Sequence, residues 1–205
     1  MTKVNLSSIA QWSVSSYKEG NVLDCLMDTN PDTVWQSDGP QPHLITLQFT
    51  RRVSINQVSM YLDHTLDDSY TPKTISIRAG TYLGDLQEIR HIDLNQPRGW
   101  HHFALDNETK DVVTLDKSLE DSHGVSDDAK PITGFVLQLA ILTNHLNGKD
   151  SHIRGIAVFA PRDPRNLIEV LTILTVKPQI SKIVCRSHRL HFKCTVEYVN
   201  DICHF

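Results

Sequence analysis

Gly134-Phe-Val-Leu-Gln-Leu-Ala-Ile-Leu142 is the stretch that decides the fold. Phe135, Leu137, Leu139 and Ile141 recur every second residue, which puts them on one face of an extended strand. A helix would scatter the same residues around its axis. Towards the N-terminus the alternation returns. Residues 43–49 carry Ile45, Leu47 and Phe49 in phase, and 53–63 carry Val53 and Ile55, then Val58, Met60 and Leu62. The phase slips by one residue at Asn56-Gln57, which predicts a bulge or a bend. Residues 74–78 add Ile75 and Ile77, and 86–94 and 100–105 are shorter candidates. Towards the C-terminus, 152–159 closes the series, with 152–154 as its start. Turn clusters such as Ser37-Asp38-Gly39-Pro40 and Pro97-Arg98-Gly99 break the runs. Short strands at this spacing, without long helical periodicity, predict an all-β sandwich or jelly roll.

Composition sets limits on function. With 205 residues, 40% hydrophobic and 21% charged, the chain can bury one sizeable core and leave a tail. No window approaches the ~20 apolar residues of a membrane helix, so no membrane partner is expected. Residues 1–16 lack a basic start followed by an apolar run, so no signal peptide is expected. Cysteines 25, 185, 194 and 203 are crowded late, which favours reduced thiols and a nuclear and cytoplasmic location. The net charge of −4 is uneven: residues 106–130 hold eight acids and three bases, and 161–205 hold seven bases and four acids. The bases form no stripe interleaved with aromatics, so nucleic acid is not an expected partner. Residues 107–130 read as an exposed acidic loop between strands. Pro161-Arg-Asp-Pro164 ends the last core strand, and 166–176 suits a helix or a strand equally.

Chemistry is sparse. No nucleophile elbow, phosphate loop or His-Glu-x-x-His pattern occurs, so the chain is read as non-enzymatic and without cofactor. Cys185-x-x-His188-x-x-His191-x-x-Cys194 offers four zinc-type ligands. Residues nine apart sit ~13.5 Å apart along a helix, and farther apart in a strand. With no Gly or Pro between 186 and 193 to fold the chain back, no metal is expected. What stands out is three polar segments beside good strands: Trp35-Gln-Ser-Asp-Gly39, Asp67-Asp-Ser-Tyr-Thr-Pro72 and Asn144-His-Leu-Asn-Gly-Lys-Asp150. Loops at sandwich ends are where such folds place recognition, and these side chains offer directional hydrogen bonds to a peptide or a sugar. As turn residues they also serve the turns themselves, and Trp35 suits a core plug.

The run Asp28-Thr-Asn-Pro-Asp32-Thr-Val-Trp35-Gln-Ser-Asp-Gly-Pro-Gln-Pro-His43 resembles the opening of a DOC domain. Ser69-Tyr-Thr-Pro72-Lys-Thr-Ile-Ser-Ile-Arg-Ala-Gly80, Leu86-Gln-Glu-Ile-Arg90 and Asn144-His-Leu-Asn-Gly-Lys-Asp-Ser-His-Ile-Arg154 continue the likeness across 10–160. The family is that of subunit 10 of the anaphase-promoting complex. The resemblance implies a galactose-binding-domain-like jelly-roll β-sandwich over 1–160, with the acidic insertion inside it. It also implies a non-catalytic substrate-recognition and processivity subunit of a ubiquitin ligase in mitotic cell-cycle control. Its implied partners are TPR scaffold subunits, a β-propeller co-activator, and substrates bearing a destruction-box degron. The implied contact residues are Asn144, His145, Asn147, Gly148 and Asp150, with Ser69 and Tyr70 as weaker neighbours. Changing Asn144, His145, Asn147 and Gly148 together to Ala is expected to spare folding. The chain finishes Asp201-Ile-Cys-His-Phe205 in place of the Ile-Arg tail common in the family. A carbohydrate-binding module on the same fold is the rival; it would favour exposed aromatics, a calcium site near residues 28–32, and secretion.

Overall fold

In the computed structural model of the chain, residues 3–105, 113–115 (backbone alone) and 130–161 are described. The strands are β1 (Val4–Asn5), β2 (Gln11–Val14), β3 (Trp35–Gln36), β4 (His43–Ile55), β5 (Gln57–Asp63), β6 (Pro72–Gly80), β7 (Gln87–Leu94), β8 (Arg98–Ala104), β9 (Val113–Leu115), β10 (Ile132–Asn144), β11 (His152–Ile153) and β12 (Gly155–Ala160). One sheet runs β2-β4-β10-β6-β7-β9, a second β1-β12-β5-β8, and β11 pairs with β3 in a short ribbon. These strands fall within one compact unit, Met1–Asp163.

The apolar strand β10 is interior to the larger sheet. In β10, Leu137 and Leu139 pair across with Leu47 and Ile45 of β4, and Leu139 and Ile141 with Ile77 and Ile75 of β6. All seven side chains are fully buried, as are Val58 and Met60 of β5 and Val158 of β12 in the second sheet. Each such side chain contributes about 1.5–3 kcal/mol when removed from water. Phe135 departs from the expected phase: a bulge between Gly134 and Val136 shifts the register. Phe135 is therefore half-buried, at the rim of a cleft shared with Phe49, Tyr82 and Leu83.

The phase slip at Asn56-Gln57 is a corner between layers. The chain leaves the larger sheet at Ile55 and enters the smaller one at Gln57. Asn56 donates its N–H to the Phe159 carbonyl (3.0 Å) and accepts from the Leu105 N–H (2.9 Å). The expected last strand is two elements. His152–Ile153 pairs with Trp35–Gln36, whereas Gly155–Ala160 joins the smaller sheet, with Arg154 between them in neither. Within the acidic insertion, Val113–Leu115 pairs in parallel with β7, where a loop without strands is expected. The rest of that insertion, residues 166–176 and the Cys185–His188–His191–Cys194 pattern lie outside the described residues.

Candidate functional site

The three polar segments converge at one end of the sandwich. β10 ends at Asn144 and β6 begins at Pro72, paired to each other. A 3-10 turn over His145–Asn147 follows the one strand, and a short helix α1 (His64–Asp67) with a 3-10 turn over Asp68–Tyr70 precedes the other. The Asp63 carboxylate caps α1 by accepting from the N–H groups of Thr65 (2.9 Å) and Leu66 (3.3 Å). The His64 N–H donates to the Pro97 carbonyl, tying this segment to the β7–β8 turn.

The loop at 144–150 is fixed from several sides. Asn144 is 3% exposed; its side-chain amide donates to the Asp150 carbonyl (2.7 Å) and its amide oxygen accepts from Ser151 Oγ (2.8 Å). Both ends of the loop are thereby bridged by one side chain. The Ser151 N–H donates to Ser37 Oγ (2.8 Å), Gln41 Nε2 to the Gly148 carbonyl (3.1 Å), and His43 Nε2 meets the Lys149 carbonyl (2.7 Å). These partners come from the Trp35–Gln36 side of the fold, where Trp35 itself is fully buried as a core plug. The His145 N–H donates to the Thr71 carbonyl (2.9 Å), and the His145 ring lies against His64, centroids 4.6 Å apart. Burial first, and then the charges of His64 and Lys73, hold His145 below its ordinary value.

Gly148 packs directly on the other turn. A β-carbon there would stand 1.8 Å from the Ser69 carbonyl oxygen, so only glycine lets the two backbones meet. Its φ of −59° is ordinary, so the requirement is for space. Beside this seam the Tyr70 ring stacks on His152, centroids 4.4 Å apart and 16° from parallel.

Under the seam lies an ion-pair cluster that the motifs do not reveal. Arg154 grips Asp67 bidentately, Nη2 to Oδ1 at 2.7 Å and Nε to Oδ2 at 3.0 Å, while its Nη1 donates to the Pro31 carbonyl (2.8 Å). His152 Nδ1 reaches Asp67 Oδ1 at 3.0 Å. Burial pushes the Asp67 carboxyl up, but hydrogen bonds from His152 and Arg154, with their charge, outweigh it and hold the group below its ordinary value. The same contact raises Arg154. The sequence signal was slight: one cation, Arg154, at the head of an apolar run.

All seven sequence-predicted residues thus gather at one end, in two roles. Asn144 and His145 face inward and brace the loop. Asn147 and Tyr70 are exposed, and Ser69, Gly148 and Asp150 are half-buried along the seam. Near residues 28–32, the Asp28 carboxylate accepts from the Asn30 N–H and Thr33 Oγ1 and shapes its own loop. Among the described residues no three acidic, histidine or cysteine side chains form a metal-holding group.

In architecture the chain is a galactose-binding-like jelly roll. A family 32 carbohydrate-binding module of Clostridium perfringens NanJ, solved with galactose, aligns with TM-score 0.57 and 11% identity over 77% of this chain and 99% of the module. The family 32 module of AlyQ, solved with 4,5-unsaturated mannuronic acid, aligns with TM-score 0.54 and 16% identity over 78% and 100%. Identities this low show a shared fold and nothing further. Sequence places it more narrowly: the chain belongs to the family of anaphase-promoting complex subunit 10, whose family model matches residues 1–183. That match continues past residue 160, where the motif resemblance stops. Anaphase-promoting complex subunit 10 of Bos taurus is 41% identical over 156 residues, 76% of this chain and 74% of that protein. The Schizosaccharomyces pombe subunit 10 is 41% identical over 82% and 79%, and the Saccharomyces cerevisiae subunit DOC1 31% over 77% and 56%.

Proposed function

We propose that this chain is a non-catalytic substrate-recognition and processivity subunit of the anaphase-promoting complex ubiquitin ligase, acting in the nucleus and cytoplasm. Its 144–150 loop forms one wall of a destruction-box receptor, and a β-propeller co-activator forms the other. TPR scaffold subunits hold it in the complex. The observation that carries this reading is a loop whose backbone is fixed by Asn144, Thr71, Ser37, Gln41 and His43 while Asn147 and Lys149 stay exposed. A rigid polar edge suits an extended peptide, because the ordering of the loop precedes binding. Two weak surfaces on one degron gain through effective concentration, which lengthens each encounter and so each ubiquitin chain.

The burial of Asn144 and His145, and the tight seat of Gly148, make the quadruple alanine change a folding perturbation as well as a contact change. The cleaner test is Asn147→Gly, which keeps the φ of 56° free of strain, with Lys149→Ala, in ligase reconstituted with the full chain. Fewer ubiquitins per substrate encounter, with assembly and folding unchanged, is the expected result; unchanged processivity rejects the loop as the degron wall.

A further inference from the structure

Leu146 sits at the turn with φ 50° and ψ 28°, in the left-handed region that disfavours any residue with a bulky side chain. Asn147 follows at φ 56°, but asparagine adopts this conformation at lower cost than leucine does. The Leu146 side chain is 72% exposed, more than any other large apolar side chain among the described residues. The leucine therefore gains little from burial and carries backbone strain. Its neighbours impose the geometry: the His145 N–H on the Thr71 carbonyl, the Gly148 N–H on the His145 carbonyl, and Gly148 against Ser69. Strain that the surroundings enforce in this way points to a use outside folding. On the facing turn, Tyr70 is also exposed, its ring held by His152, and α1 exposes Leu66.

We propose that Leu146, with Tyr70 across the seam, is a specificity-determining residue that takes an aliphatic side chain of the extended substrate peptide lying along Asn147. This rests on the degron-facing function proposed above. An aliphatic group gains from covering Leu146, whereas a charged or amide group there would lose water without a partner.

The test uses the complete ligase, assembled with the full-length chain and co-activator. Competitor destruction-box peptides carry Leu, Ala or Asp at each position in turn. At one position Leu should compete better than Ala by about tenfold, the scale of burying a leucine-sized side chain. Leu146→Asn should abolish that preference while raising the chain's melting temperature, because asparagine relieves the strain. Leu146→Met, which keeps an apolar side chain, should retain the preference. The proposal is overturned when no position shows a preference, when the preference survives Leu146→Asn, or when Leu146→Met loses it. Asn147→Gly, which takes φ 56° without strain, separates the two levels: a uniform loss of competition by all peptides upholds the degron-loop function even then, and no loss rejects that function too.

Discussion

The backbone of Gly148 rests on the carbonyl of Ser69 so closely that a β-carbon would come within 1.8 Å of its oxygen and 2.6 Å of its carbon. Neither atom belongs to a side chain that could swing away. The 144–150 loop and the Ser69–Tyr70 turn are consequently one body, and exposed side chains on both hold a fixed spacing.

Gly148→Ala tests that seam. Backbone must move, at a cost of about 1–3 kcal/mol for forced overpacking. In a unit of this size that lowers the melting temperature by roughly 2–4 °C per kcal/mol. Degron-dependent processivity should fall with it. A variant with unchanged melting temperature and processivity contradicts the close contact.

Asn144→Ala and Asn147→Gly should separate stability from contact. Loss of the buried Asn144 amide leaves the Asp150 carbonyl and Ser151 hydroxyl unpaired, a cost of about 1–3 kcal/mol by chemical denaturation. Asn147→Gly, at the exposed tip, where glycine adopts the φ of 56° without strain, should change stability by less than about 0.5 kcal/mol while lowering processivity. Equal destabilisation by both would refute the division of roles.

Removing one partner from the Asp67–Arg154 pair should be the most damaging single change at this end. The Asp67 and Arg154 side chains are 3% and 12% exposed, so Arg154→Met leaves a carboxylate that water barely reaches with only the His152 ring to pair it. The loss is about 3–5 kcal/mol, against about 0–1 for an exposed pair. The double variant Asp67→Asn/Arg154→Met should recover part of it. A single-variant loss below that of a surface pair would show that the cluster does not brace the site.

Histidine burial predicts a pH slope. His145 is held below 6.5 by burial and then by His64 and Lys73, and His101 by burial and then by His102. As pH falls below about 6.5 the unfolded chain takes up protons that these folded histidines refuse, so stability falls. The Asp67 contribution is lost only below its ordinary 3.8, outside that window. Melting temperature should therefore drop between about pH 7 and about pH 5.5, less steeply in His145→Gln. A flat profile, or an equal slope in the variant, contradicts the assignment.

What was legible in the sequence follows from what is periodic. Alternation found β4, β5, β6 and β10 because one face of each carries its large apolar residues into the core, and the slip at Asn56-Gln57 marked the layer corner. Phe135 misled because a bulge carries no signature in an apolar run. Val113–Leu115 was hidden within acidic neighbours. At the site, Asn147 and Tyr70 emerged exposed, whereas the inward turn of His145 depends on partners distant in sequence, Thr71 and His64, and that of Asn144 on the closing residues of its own loop, Asp150 and Ser151. The Asp67–Arg154 pair spans 87 residues and has no local pattern to betray it.

The most direct test of the degron-wall function is a photo-crosslinker at position 147 in the intact ligase, with co-activator and a destruction-box substrate. A crosslink to substrate that disappears when either the destruction box or the co-activator is removed is the predicted result. A crosslink indifferent to the destruction box, or none to substrate at all, would contradict it.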